Sequence, residues 1–193
     1  VIVLLAALYV DDVTLAAPPS SSKLCSKIIE LILNAYKGRY LGKPKHFIGM
    51  KLVRDRENRS VSLSQEKAVL DLAEQFNVNV KKSKNVPLNP SVKLGKDEGD
   101  ALDTQTFNYC SLIGSLNYLS VCSRPDISYA VGALSRFLEN PTCTHWQAAV
   151  GVLQYLVNTA NYAITYDHGN QRIDFRGYSD ADYVGNVDSR HST

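Results

Sequence analysis

Asp11 and Asp12 are adjacent carboxylates that follow the apolar run of residues 1–8 and the pair Tyr9-Val10. An uncompensated buried pair of this kind is costly, because like charges repel and both lose hydration. A divalent cation removes that cost, and Mg²⁺ favours a few carboxylates together with substrate phosphates. The competing reading is a strand that ends in a solvated Asp-Asp turn, since Asp is a common turn residue. The segment after the pair favours a built site. Val13-Thr14-Leu15-Ala16-Ala17 is a second β-prone run, stopped by Pro18-Pro19. The carboxylates are therefore expected at the tip of a hairpin with apolar flanks.

Receiver domains of response regulators also bind Mg²⁺ through paired acids after an apolar strand, and Asp55 could pose as their phospho-acceptor. Such a domain needs strands and helices alternating around one parallel sheet. Here the acids lead into another strand, and Asp55 leads into the polar turn Arg56-Glu57-Asn58-Arg59. The hairpin is the better fit.

The elements that must position the acids are ordinary in composition. The chain has 193 residues, 45% hydrophobic and 21% charged, which suits a globular protein of one or two domains. Its formal net charge is only +2, so charge alone does not announce a nucleic-acid binder. The cations are clustered all the same: Lys37, Arg39, Lys43, Lys45 and Lys51 in one zone, Lys81, Lys82 and Lys84 in another. Without other evidence such runs read as solvated faces. Residues 1–10 are too few to span a bilayer and no charged segment precedes them. A core strand at residue 1 without an initiator Met suggests a piece of a longer chain. Cys25, Cys110, Cys122 and Cys143 show no Cys-x-x-Cys spacing and are expected to be reduced, half-buried thiols of an intracellular protein. Cys143-Thr144-His145 is too sparse for zinc.

Ser20 to Ser22 can cap a helix with the stripe Leu24, Ile28, Leu31, Ile32 and Ala35, closed by Gly38. Residues 46–53 read as a strand with Ile48, Met50 and Leu52 on one face, and residues 60–64 as its hairpin partner. Residues 65–76 predict a helix through Val69, Leu72, Ala73 and Phe76. Residues 77–103 lose periodicity and gather Lys, Pro and Gly, which reads as a flexible linker. Three more helices are marked by Tyr109, Leu112, Ile113 and Leu116; by Pro125-Asp126 opening Ile127, Ala130, Val131, Leu134 and Phe137; and by Thr144 capping Trp146, Ala149, Val150, Leu153 and Val157. Residues 162–166 and 172–179 read as strands that run into Ser179-Asp180-Ala181-Asp182. The order of strands, helices, then strands implies an α+β body with the start of another domain.

Several segments together resemble the polymerase–ribonuclease H region of a copia-type LTR retrotransposon Pol polyprotein. Beside Tyr9-Val10-Asp11-Asp12, they are Tyr40-Leu41-Gly42, Phe47-Ile48-Gly49-Met50, Leu63-Ser64-Gln65 and Tyr109. Leu112-Ile113-Gly114-Ser115-Leu116-Asn117-Tyr118-Leu119 and Ser123-Arg124-Pro125-Asp126-Ile127-Ser128 follow, then His145-Trp146, Leu153-Gln154-Tyr155-Leu156 and Gly177-Tyr178-Ser179-Asp180-Ala181-Asp182. Each alone is weak, and in this order they are specific. Glu66-Lys67-Ala68 lacks an aromatic expected there, and Tyr183 stands where a tryptophan is usual.

The resemblance implies an α+β fold in three parts: a reverse-transcriptase palm segment over 1–64, thumb and connection helices over 65–160, and the opening strands of a ribonuclease H-like domain over 161–193. It implies RNA-directed DNA synthesis with two Mg²⁺ ions (Mn²⁺ as a substitute), accompanied by hybrid-strand cleavage. Asp11 and Asp12 would be catalytic metal-site carboxylates of the palm. Asp180 would be the first catalytic, metal-binding acid of the ribonuclease H domain; Asp182 and Asp188 read as signature or turn residues. Tyr9 and Val10 would border the primer terminus and the incoming nucleotide. Phe47, Ile48, Gly49 and Met50 resemble the primer grip, whose contribution is placement. Lys43, Lys45 and Lys51 would contact nucleic acid through phosphates, which position without reading sequence. Implied partners are an RNA or DNA template-primer, dNTPs, and the rest of the polyprotein: fingers and upstream palm, remaining ribonuclease H, and integrase. No membrane is implied, and the setting would be a cytoplasmic retrotransposon particle. The isolated chain, lacking the first palm aspartate, is expected to be inactive. The rival reading is a non-catalytic nucleic-acid-binding or degenerate remnant of such an element.

Overall fold

The computed structural model describes residues 4–78, 84–89, 94–96, 99–168 and 176–177. Among them lie five α-helices and six short strands, a mixed architecture compatible with the expected α+β class. The chain forms two compact units, Val1–Val53 and Arg54–Thr193.

The first unit opens with an antiparallel hairpin of β1 (Leu5–Tyr9) and β2 (Asp12–Ala16), in the register Leu5↔Ala16, Ala7↔Thr14, Tyr9↔Asp12. A 3₁₀ turn (Pro19–Ser21) leads into α1 (Ser22–Ala35), where Pro19 supplies the preset φ that a first turn favours. The helix ends at Ala35, with Tyr36 rather than Gly38 as its cap. No residue of α1 is buried, and Leu5 and Leu8 of β1 are 65% and 74% exposed. The burial suggested by the apolar run 1–8 is thus not found among the described residues of this unit.

The expected single strand over 46–53 is a correction. β3 (His46–Phe47) turns back through Ile48-Gly49 into β4 (Met50–Asp55), pairing Phe47 with Met50 and His46 with Lys51. Ile48 and Gly49 have φ of 50° and 72°, as a two-residue type I′ turn requires. Ile48 therefore leaves the face that Met50 and Leu52 share. The glycine enforces the reversal that strand alternation alone hides.

In the second unit, Asp55 closes the turn at 56–59 by accepting from the backbone N–H groups of Glu57 (2.9 Å) and Asn58 (3.0 Å). Those bonds, the Asn58 backbone first, hold its carboxyl below the usual range. β5 (Ser60–Ser64) pairs antiparallel with β6 (Ile164–Tyr166), and Ser62 and Thr165 share a hydroxyl hydrogen bond of 2.8 Å across the pair. Then come α2 (Glu66–Gln75), α3 (Tyr109–Cys122), a 3₁₀ turn at Pro125–Ile127 continuing into α4 (Ser128–Ser135), and α5 (Cys143–Asn158).

The core is helical. Val69 and Leu72 of α2, Leu112 and Leu116 of α3, Leu134 of α4 and Leu153 of α5 are 0–7% exposed. Burying each side chain is worth about 1.5–3 kcal/mol. Helix ends are closed by identifiable devices. At the end of α2, Asn77 adopts φ 50°, its N–H donates to Glu74, and Val78 N–H donates to Ala73, a Schellman arrangement. Val78 is 8% exposed, and with Leu94 and Leu102 it carries the stretch expected as a linker into the core. Asn108 caps α3 by accepting from Ser111 N–H at 3.0 Å. Thr142, not the expected Thr144, caps α5 in a reciprocal capping box with His145.

Candidate metal-binding hairpin and nucleic-acid interface

The tip of the first hairpin is the two-residue turn Val10-Asp11, flanked by the paired residues Tyr9 and Asp12. Four sequence-flagged residues therefore occupy one turn. Asp11 and Asp12 are exposed, as are Tyr9 at 55% and Val10 at 79%. Val10 has φ 49°, a region where a β-branched residue is an outlier costing about 1–2 kcal/mol. Strain of this kind persists where neighbouring structure dictates it, and it concentrates at functional turns. The pair stands in solvent, so the cost of a buried carboxylate pair does not arise here.

The second flagged turn holds Phe47, Ile48, Gly49 and Met50, with Gly49 exposed and the others half-buried. It too puts a β-branched residue, Ile48, at positive φ. Lys43, Lys45 and Lys51 are exposed, the first two on the loop before β3 and the third on β4. Asp180, Asp182 and Asp188 lie outside the described residues, as does the strand expected over 172–179 except for Arg176 and Gly177, which are not in a strand.

Several motif residues turn out to be structural. Ser123 donates to the Oε1 of Gln65 at 2.6 Å, joining two of the signature segments. Arg124, 2% exposed, donates from Nε and Nη2 to both oxygens of Asp126 (3.0 and 2.8 Å). Its Nη1 and Nη2 also donate to the carbonyl and Oγ1 of Thr159 (3.0 and 2.6 Å). Tyr155 donates to the same carboxylate at 2.7 Å, and the guanidinium lies 5.5 and 5.3 Å from the ring centroids of Tyr155 and Tyr162. Burial pushes the Asp126 carboxyl up, but bonds from Arg124 and Tyr155 and the guanidinium charge together hold it below the usual range. Burial, then Asp126, raises the Tyr155 phenol.

His145 is fully buried and stacked on Phe137, with centroids 3.9 Å apart. Thr142 N–H donates to its Nδ1 at 3.0 Å, so Nε2 carries the proton toward the Gly95 carbonyl at 3.1 Å. This agrees with the structural reading of Cys143-Thr144-His145. Among the described residues, no group of three or more His, Cys, Asp or Glu side chains could hold a metal ion. The four cysteines are free thiols; Cys110 is exposed rather than half-buried. No described helix is long and apolar enough to cross a membrane.

A groove of about 690 Å³ in the second unit is lined by Phe76, Phe107 and Trp146 with uncharged polar side chains such as Asn77, Asn108 and Gln154. With no cation in its lining, it offers nothing to a triphosphate. Sequence reading missed it, since its residues come from the end of α2, the start of α3 and one face of α5, far apart in the chain.

An α+β protein with two acids on a strained hairpin tip is the class these features define. The sequence is 37% identical over 191 residues to the retrovirus-related Pol polyprotein from transposon TNT 1-94 of Nicotiana tabacum, across 96% of this chain. It is 34% identical over 185 residues to the retrovirus-related Pol polyprotein from transposon RE1 of Arabidopsis thaliana, again across 96%. The chain belongs to the copia-type, retrovirus-related Pol polyproteins of transposons. It spans 14% and 12% of the length of those two relatives. A stretch of 86 residues, 44% of the chain, is 46% identical to the secreted RxLR effector protein 161 of Plasmopara viticola and covers 59% of that protein. No protein-family profile matches the chain, and no solved structure does.

Proposed function

We propose that this chain is part of the RNA-directed DNA polymerase and ribonuclease H region of its Pol polyprotein. The observation that carries the reading is the placement of Asp11 and Asp12 together on the exposed hairpin turn. Paired carboxylate oxygens on one turn suit a hard divalent cation, which would take its remaining ligands from water and substrate phosphates. The described residues offer no third protein ligand beside them, so the fit is that of part of a site. Two Mg²⁺ ions, or Mn²⁺, would supply charge neutralisation and activation of a primer 3′-OH for in-line attack on a dNTP.

The chain's own residues contribute placement. Asp11 is the direct ligand and Asp12 supports its hydration. Tyr9 and Val10, fixed by the strained turn, border the primer terminus. The Phe47–Met50 turn seats the primer strand, where a displacement of about 1 Å costs about a hundredfold in rate. Lys43, Lys45 and Lys51 hold phosphates. Asp180 serves the ribonuclease H site. The exposed apolar faces of β1 and α1 support this reading, because upstream palm would cover them.

Two measurements test it. Mn²⁺ titration of the 193-residue chain by NMR should broaden the Asp11 and Asp12 amides, and Asp11→Asn should remove that broadening. No selective broadening up to millimolar Mn²⁺ refutes the metal-site assignment. Primer extension on poly(rA)–oligo(dT) should be absent from the chain alone; extension lost in Asp11→Asn would show that another residue completes the site. A second reading, a non-catalytic remnant, is favoured by the match to a protein named as a secreted effector. Under it the amides stay sharp.

A further inference from the structure

Trp146, the single tryptophan of the chain, forms the floor of the groove in the second unit. Phe76 and Phe107 pack against it, with ring centroids 6.0 and 5.2 Å away and planes tilted by 55° and 49°. Tilted pairs at such separations suit the ring quadrupoles, so the three rings hold one another in place. Phe107 is nevertheless 40% exposed and Trp146 only half-buried. A volume of about 690 Å³ lies within the range of about 300–1,000 Å³ that ligand sites occupy.

The rim is polar and carries no charge. The indole N–H of Trp146 and the carboxamides of Gln75, Asn77 and Gln154 have no hydrogen-bond partner among the described residues. Asn108 has committed its oxygen to Ser111 N–H, which leaves its NH₂ group to donate, and the Thr106 hydroxyl donates to Asp103. Trp146 and Asn108 thus offer donors alone, and donors exceed acceptors around the floor. Their placement is fixed by helix ends: Asn77 sits in the Schellman turn that closes α2, and Asn108 is the cap of α3.

We propose that this groove binds an uncharged, proline-bearing segment of another protein in the extended polyproline II form. Its rings would lie on Phe107 and Trp146, and its carbonyls would accept from the Trp146 indole and the Asn108 and Gln154 carboxamides. Proline has no backbone N–H and its carbonyls make no internal bonds in this conformation, so a proline run offers apolar rings and acceptors. Those are the complement of a neutral, donor-rich aromatic groove, and a preformed helix loses little entropy on docking. A charged segment finds no counter-ion here. A neutral sugar brings hydroxyl donors as well as acceptors, and the Asn108 oxygen that could serve them is spent. No described proline of the chain lines the groove, so the segment is assigned to a partner. The groove lies wholly in the second unit, and its role does not depend on catalysis at Asp11.

Trp146 is a built-in reporter, because decaproline does not emit. Titrating the full chain with acetylated, amidated decaproline should shift the tryptophan emission saturably, with a Kd below about 1 mM. A Gly-Ser decapeptide with the same blocked ends is uncharged but flexible, and should bind at least about tenfold more weakly. The decaproline Kd should be the same at about 50 and 500 mM KCl, because no charge takes part. Gln154→Leu removes a donor and Phe107→Leu a ring at an exposed position, and each should weaken binding about fivefold or more with the urea midpoint little changed. Absence of a saturable shift, equal binding of the Gly-Ser peptide, a Kd that rises steeply with KCl, or parental affinity in both variants overturns the proposal. Tighter binding of maltotriose than of decaproline also overturns it, and gives the groove to a neutral sugar.

Discussion

Arg124→Met tests whether the second unit depends on the buried guanidinium cluster at Arg124. The substitution keeps much of the apolar stem and withdraws four hydrogen bonds, two to Asp126 and two to Thr159. The Asp126 half is discounted, because that carboxylate is 33% exposed and water can replace the lost partner. The Thr159 half is not: Thr159 is 7% exposed, and its carbonyl loses its Arg124 donor, at about 1–3 kcal/mol. Lost contacts to the Tyr155 and Tyr162 rings add about 0.5–1 kcal/mol each. The expected loss is about 3 kcal/mol, at the lower edge of what breaking a buried pair costs. Arg124→Lys keeps the charge without the planar fork, and should lose about 2 kcal/mol. Urea unfolding followed by tryptophan fluorescence measures both, because Trp146 lies in the same unit. The pH dependence has a fixed sign. The folded Asp126 pKa lies below its unfolded value, so the carboxylate contributes stability above about pH 4. That contribution disappears as pH falls through the folded pKa, and Asp126→Asn should flatten this acid limb. An Arg124→Met protein within about 0.5 kcal/mol of the parent would refute the reasoning and mark the cluster as solvent-screened.

Other perturbations probe single features. Gly99 has φ 90°, and a Cβ there would sit 2.5 Å from the Thr144 hydroxyl, so Gly99→Ala should cost about 2 kcal/mol by urea unfolding. His145→Phe keeps a ring against Phe137 but removes the bonds to Thr142 and Gly95, and should cost about 2–3 kcal/mol; parental stability would show those bonds idle. Val10→Gly should stabilise the first hairpin by up to about 1 kcal/mol, read as slower amide exchange across Leu8↔Val13. Faster exchange there would contradict the positive φ.

Long helical stripes are legible in the sequence because burial on one face leaves a period. Tyr109, Leu112, Ile113 and Leu116 are marked by their spacing, and all are 0–2% exposed. The hairpin is legible because the polar pair Asp11-Asp12 interrupts two β-prone runs, although the turn itself falls one residue earlier, at Val10-Asp11. The features that escape are local and steric. The reversal at Ile48-Gly49 hides inside a strand-like alternation, because Ile favours strands and only the glycine betrays the turn. Val78, Leu94 and Leu102 are lost among Lys, Pro and Gly, since single apolar residues carry no period. Thr142 is less conspicuous than Thr144 because a histidine is an unusual third-position partner in a capping box.

A motif residue can serve chemistry only with hydrogen-bonding capacity to spare. Arg124 uses Nε and both terminal nitrogens internally, and Ser123 and both ring nitrogens of His145 are likewise engaged. Presenting any of them to a ligand would first break a buried bond. Asp11 and Asp12 face solvent at the hairpin tip, and Tyr36, Tyr40, Lys43 and Lys45 on the loop between α1 and β3. The two groups should therefore separate experimentally. Substitutions at 123, 124 or 145 should move the urea midpoint and leave oligonucleotide affinity nearly unchanged below it. Substitutions at 11, 43 or 45 should do the reverse, changing Mn²⁺ or strand binding at constant stability. A variant of Ser123 or His145 that stays folded yet loses strand binding would break this division, and would relocate part of the interface to the second unit.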